Sequence, residues 1–217
     1  MTAVAIISAI YGCYDALKPA CEQDTGTEWI LVTGDPGYGP AADGWRVIYD
    51  PQLGVRPCRA AKRPKFTPWE YTTAEASIWI DASIQVESPS FASAVLAAAA
   101  PVAQFPHPHR DCIYAEAAHS VPLPKYAGEP LTAQAARYRQ AGHPEHWGLW
   151  CGGVIGRHHT PEVIEMGKAW QAEVDAWSFQ DQVSEPFVLR RAGLRPAGLP
   201  GDPFANPWTT WAGGGNH

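Results

Sequence analysis

The chain has 217 residues, 46% of them hydrophobic and 18% charged, a composition that buries a core and excludes a disordered or fibrous protein. Sixteen Lys and Arg against 22 Asp and Glu give a formal net charge of -6, so no overall basic field draws in nucleic acid or an anionic membrane. No apolar run approaches the roughly 18 residues that a membrane span needs, and the five scattered cysteines, with no CxxC arrangement, read as free thiols of a reducing cytoplasm.

In chain order, the apolar opening lacks a basic leader and reads as a first buried strand over 3–10 rather than a secretion signal. Further short apolar runs predict strands at 29–33, 45–49, 78–80 and 102–105. Helical patterns fall at 90–100, which is alanine-rich and stops before Pro101, at 111–118, and at 132–141, where Gly142 can cap the C-terminus. The clearest helix starts after Thr160, with Pro161 at its first position and Val163, Met166, Trp170, Val174 and Trp177 forming one buried stripe. Strands early and helices interspersed predict one three-layer α/β domain over 1–217, with an irregular Pro/Gly-rich tail from about 196 in which Trp208 and Trp211 indicate partial packing.

Between positions 51 and 69 stand five basic residues, Arg56, Arg59, Lys62, Arg63 and Lys65, and no acid. Just downstream, the strand leading to Asp81 ends in a carboxylate, the place where α/β sheets bind ligands and where Mg²⁺ or Mn²⁺ is shared with substrate phosphates. A metal-bound pyrophosphate flanked by Arg and Lys fits this pattern; a solvated basic loop beside a strand-end turn fits it equally. His107 and His109 lie in an extended, proline-locked segment that cannot present i, i+4 ligands, and HExxH is absent, so a dedicated zinc site is disfavoured. Arg110 and Asp111 follow at a predicted helix start that suits an anion or a hydroxylated ligand. Gly152 and Gly153 interrupt an apolar strand, the mark of close approach by a ligand or another backbone. Asp181 and Gln182 follow the amphipathic helix and can orient an acceptor hydroxyl or contact a sugar. No GxGxxG, Walker loop or GxSxG elbow is present.

Taken in order, the segments Ile10-Tyr-Gly-Cys-Tyr-Asp-Ala-Leu17, Arg59/Lys62/Lys65, Ser77-Ile-Trp-Ile-Asp-Ala-Ser-Ile84, His107-Pro-His-Arg-Asp111, Gln134 with Tyr138, Gly142-His-Pro144, Gly148-Leu149, Arg157-His158 and Asp181-Gln182 resemble the domain-of-unknown-function 616 glycosyltransferases, whose plant members act on mucilage and cell-adhesion polysaccharides. The resemblance covers about 7–188. It implies a GT-A-like, Rossmann-type fold, α/β/α with a mixed sheet, that binds a nucleotide sugar. It implies that Tyr11, Gly12 and Asp15 hold base and ribose, that Arg59 and Lys62 approach the diphosphate, and that Asp81 with Ser83 occupies the Asp-x-Asp metal position. Ser83 replaces the second aspartate, a poorer ligand; His217 is a further candidate ligand. Asp181 and Gln182 match the region that faces donor sugar and acceptor, with His107, His109, Arg110, Asp111, Gly152 and Gly153 on the acceptor or sugar side.

The expected activity is transfer of a hexose-type sugar from a nucleotide sugar, a UDP-sugar first, to a hydroxyl of a glycan, a protein or modified DNA, assisted by Mn²⁺ or Mg²⁺. Stereochemistry stays open: front-face transfer if retaining, Asp181 as base if inverting. The alternatives are a carbohydrate-binding protein that has lost catalysis and a metal-dependent phosphoesterase. The acidic balance disfavours DNA as acceptor, the lack of a stem or anchor points to the cytoplasm, and the Ala/Arg/Gly/Pro-rich composition suits a high-GC bacterium or its phage.

Overall fold

The computed structural model describes residues 4–12 and 15–211. Strands β1 (Val4–Ile10), β2 (Thr27–Thr33), β3 (Ala41–Ala42) and β4 (Trp45–Tyr49) come first, followed by the short helices α1 (Pro57–Ala60) and α2 (Lys62–Phe66). Next come β5 (Ala76–Ile80), β6 (Ile84–Val86), α3 (Phe91–Ala98), β7 (Val102–Pro106), α4 (Ile113–Ser120) and α5 (Leu131–Gln140). The chain then forms β8 (Trp150–His158), α6 (Pro161–Ala176), α7 (Asp181–Arg191), β9 (Ala197–Gly198) and β10 (Thr209–Trp211).

Eight strands make one mixed sheet in the order β3-β4-β2-β1-β5-β8-β7-β9. Strands β4, β2, β1 and β5 run parallel, while β8 lies antiparallel between β5 and β7. In β1, Ala5, Ile7 and Ala9 point into one core and Val4, Ile6 and Ile10 into the other, which explains an unbroken apolar run: a central strand covered on both faces has no polar side. The architecture is a mixed α/β domain of Rossmann-like type, as the sequence predicts. Its layers are unequal. Helices α2 and α4–α7 contribute to the first core, whereas α3 and the C-terminal residues Leu199, Trp208 and Trp211 pack into the second.

Helix α6 forms as read: Thr160 accepts the Val163 N–H, Pro161 opens the first turn, and Val163, Met166, Trp170 and Val174 are buried. Trp170 lies with its ring 4.3 Å from Phe66 of α2, so burial of one large side chain, worth about 1.5–3 kcal/mol, locks α6 to the helix that carries the basic residues. The basic stretch is two short helices rather than a solvated loop. The Asp181–Gln182 segment opens the buried helix α7. Within the Pro/Gly-rich tail, β9 extends the main sheet beside β7 and β10 pairs with β6.

Candidate active site

The carboxyl ends of β1 and β5 meet the start of antiparallel β8 near the middle of the sheet. Asp81 follows β5 directly, and its N–H donates to the Gly153 carbonyl at 2.9 Å, fastening the strand end to β8. Above this edge α2 presents Lys62 and Lys65, whose spacing of three puts both ammoniums on one helix face. Both reach the same oxygen of Asp181, the first residue of α7: Lys62 Nζ at 2.7 Å and Lys65 Nζ at 2.6 Å from Oδ2. Lys65 also stands 3.8 Å from Asp81 Oδ1, which accepts the Trp79 indole N–H at 2.8 Å.

Charges this deep persist only when paired. Burial alone would raise the Asp181 carboxyl, but the two ammoniums outweigh it and hold it well below the usual carboxylate range. Burial pulls Lys62 down despite Asp181, whereas for Lys65 the attraction of Asp181 and Asp81 overcomes burial and the net shift is upward. Beneath the pair, one turn along α7, burial pushes the Glu185 carboxyl up to about 8, and Glu185 accepts from Gln104 at 2.8 Å. Buried Arg157 donates to the Lys65 carbonyl at 2.7 Å and so holds the end of α2.

Two cavities adjoin here. The larger, about 470 Å³, is floored by Lys62, Lys65, Asp81, Gly152, Asp181 and Gln182. The smaller, about 370 Å³, includes Tyr11, Asp15, Trp79, Ser83 and Phe179. Lys62, Asp81, Lys125 and Tyr126 line both. On the far wall of the larger cavity, His107 Nδ1 accepts the backbone N–H groups of His109 and Arg110 at 3.2 and 3.1 Å. Burial lowers the His107 pKa. Glu116 accepts from Arg110 at 2.5 Å and from Gln180 at 2.8 Å, tying this wall to the residue that precedes Asp181.

Of the residues predicted from sequence, Lys62, Asp81, Gly152, Gly153, Asp181 and Gln182 converge in the larger cavity, together with His107, His109 and Arg110. Tyr11, Asp15 and Ser83 line the smaller one. Gly12 lies next to it: its φ of 69° and the approach of Pro57 Cγ, 3.0 Å from where a Cβ would stand, call for glycine. Arg59 is spent on architecture, bonded to Glu129 at 2.7 Å and to the carbonyls of Trp177 and Val174, and it lines neither cavity. Asp111 pairs with exposed His146 at 2.7 Å, also outside them. His217 lies outside the described residues. The paired glycines make room for neighbouring side chains, since a Cβ on Gly152 would stand 2.6 Å from Lys65 Nζ and one on Gly153 3.0 Å from Ile84 Cδ1. Lys65, Lys125, Tyr126, Phe179, Phe204 and Trp211 join the cavities without having been singled out as site residues; for Lys65 the i, i+3 spacing with Lys62 was the available signal.

Among the described residues the donor set does not fit a divalent cation. Among the described residues no group of three His, Cys, Asp or Glu side chains is arranged to hold a metal ion. Asp81 already accepts an indole N–H and has an ammonium beside it, and Ser83 adds only a buried hydroxyl.

A Rossmann-like mixed sheet thus carries a charged, two-chambered site at its strand ends. The family described as TOD1/MUCI70, glycosyltransferase-like domain, matches residues 44–197, and the chain belongs to that family. Comparison with curated proteins gives no match. Among the described residues no helix is long and apolar enough to cross a membrane.

Proposed function

We propose that this transferase moves a hexose-type sugar from a nucleotide sugar, a UDP-sugar first, onto a hydroxyl acceptor, on a GT-A-like version of the fold. One observation carries the reading: Asp181 gathers two ammoniums, Lys62 where the two cavities join and Lys65 on the floor of the larger one. The smaller cavity offers Tyr11, Trp79 and Phe179 to a nucleobase and Asp15 to a ribose hydroxyl. The diphosphate crosses the junction beside Lys62 and Lys125, and the sugar enters the larger cavity near Asp81 and Gln182.

As the bond from the anomeric carbon to the diphosphate oxygen breaks, negative charge grows on the leaving group. Prepositioned ammoniums stabilise that charge without having to reorganise. Asp181 is a positioning residue here: a carboxylate held this far below its usual range is a poor base. The acceptor oxygen therefore bonds to the anomeric carbon as the old bond breaks, and its proton passes to an oxygen of the departing diphosphate. That proton path favours the front face and retention of configuration. No step is routed through a metal. The free thiols Cys21, Cys58, Cys112 and Cys151 support a reducing, cytoplasmic setting.

The test is release of nucleoside diphosphate from a panel of nucleotide sugars, with and without Mn²⁺. Slow hydrolysis of one donor is expected, falling by about 10²–10³ in Lys65→Met, the usual loss for one transition-state donor. Glycan binding indifferent to every nucleotide would instead establish the carbohydrate-binding alternative.

A further inference from the structure

Resting on the transferase reading, we infer that Phe204 and Trp211 form an acceptor subsite, an aromatic wall that stacks against the apolar C–H face of a sugar ring. The acceptor class is thus a carbohydrate rather than a protein side chain or a nucleic acid.

Both rings line the larger cavity, which also holds Lys65, Asp81, Asp181 and Gln182. Their centroids are 5.1 Å apart at an interplanar angle of 62°, an edge-to-face pair. Phe204 is 55% exposed. An exposed phenyl ring loses hydrophobic stabilisation, so its placement over a charged cavity calls for a ligand with an apolar face and polar edges. Tyr49, Leu53, Val55 and Val121 are the other large hydrophobics exposed among the described residues, and none of them lines either joined cavity.

The wall is built rather than loose. Asp202 Oδ1 accepts the Phe204 N–H at 2.8 Å, and Asn206 Oδ1 accepts the N–H groups of Trp208 and Thr209, each at 3.0 Å. Strand β10 then pairs antiparallel with β6, placing Trp211 opposite Ile84. The Ile84 N–H in turn donates to the Asp81 carbonyl at 2.9 Å. One hydrogen-bonded path therefore runs from the aromatic pair to the strand end at the reactive centre, which fixes the wall relative to the donor sugar. Residues 202–211 lie beyond the family match at 44–197, whereas Lys62, Lys65, Asp81 and Asp181 lie within it. The shared part holds the charge and the added part selects the acceptor.

Saturation-transfer difference NMR on the full chain, in the presence of UDP, tests this with xylotetraose, cellotetraose, maltotetraose and β-1,4-galactotetraose as probes. Ring C–H signals are expected from at least one tetrasaccharide. They should weaken by about five- to tenfold in Phe204→Ser, as one aromatic contact is lost, and persist in Phe204→Tyr. The UDP signals and the Tm should be the same in all three proteins. The inference is overturned if no tetrasaccharide is saturated, if Phe204→Ser binds sugar as the wild type does, or if UDP signals fall together with the sugar signals, which would assign the wall to the nucleobase. Failure of UDP to bind the wild type would sink the donor reading instead, and a sugar signal dependent on Phe204 would still uphold the subsite.

Discussion

The two halves of the basic segment use the same chemistry for different ends. In the first half, Arg56 and Arg59 flank Glu129 at 2.9 and 2.7 Å; in the second, Lys62 and Lys65 flank Asp181 at 2.7 and 2.6 Å. Each carboxylate gathers two cations. Glu129, however, also accepts the Phe179 N–H, and Arg59 adds two carbonyls near the end of α6, so that cluster staples α1 to the loop before α7. Arg56 also borders the smaller cavity, whereas Arg59 borders neither; the lysine cluster opens onto both. Side-chain type fits the division: the guanidinium fork ties several acceptors together, while the ammonium is a compact point charge that can turn toward a substrate oxygen.

Substitutions can break that comparison, and Asp181→Asn should have the largest effect. It takes from Lys62 and buried Lys65 the carboxylate they share, leaving only Asp81 at 3.8 Å from Lys65, and denaturant unfolding should show a loss of about 3–5 kcal/mol. Lys65→Met comes next. Donor turnover should fall by about 10²–10³, equivalent to roughly 2.7–4 kcal/mol of transition-state stabilisation, with a smaller change in nucleotide affinity. Arg59→Met should do the reverse, costing about 1.5–3 kcal/mol of stability for its charged hydrogen bonds while turnover per folded molecule is unchanged. A Cβ at Gly152 would press on Lys65 Nζ, so Gly152→Ala should slow turnover by about tenfold, less than the 10²-fold that a 1 Å misplacement can cost.

A further effect is a pH dependence. Glu185 is raised from 4.5 to about 8. Between those values the folded state keeps a proton that the unfolded chain has released, so this contribution to stability is full below about 4.5 and drains away as pH rises through about 8. Glu185→Gln removes the dependence: its Tm should match the wild type near pH 5 and exceed it at pH 9.

The sheet was legible in sequence because periodicity reports burial. Strands β1, β2, β4, β5 and β7 and helices α3 to α6 all appear within a few residues of their predicted places. Helix α7 was not, for a physical reason. Asp181, Val183, Ser184, Glu185, Phe187 and Val188 are all buried, so no polar face alternates with an apolar one, and Pro186 sits inside the helix. The same burial hid the site's chemistry. Lys65 looks in sequence like any solvated lysine and becomes distinctive only when α2, β8 and α7 enclose it. Arg59 looked equivalent to Lys62, three residues away, and differs only in which way its helix turns. The acceptor wall escaped because a Pro/Gly-rich segment carries no periodic signal, although its tryptophans indicated packing.

Nucleoside diphosphate binding by Lys62→Met and Arg59→Met, measured side by side by calorimetry, tests the division of labour most directly. The account predicts that the tightest-binding diphosphate loses its affinity for Lys62→Met and keeps it for Arg59→Met. Equal binding by both variants, or greater loss in Arg59→Met, would contradict it.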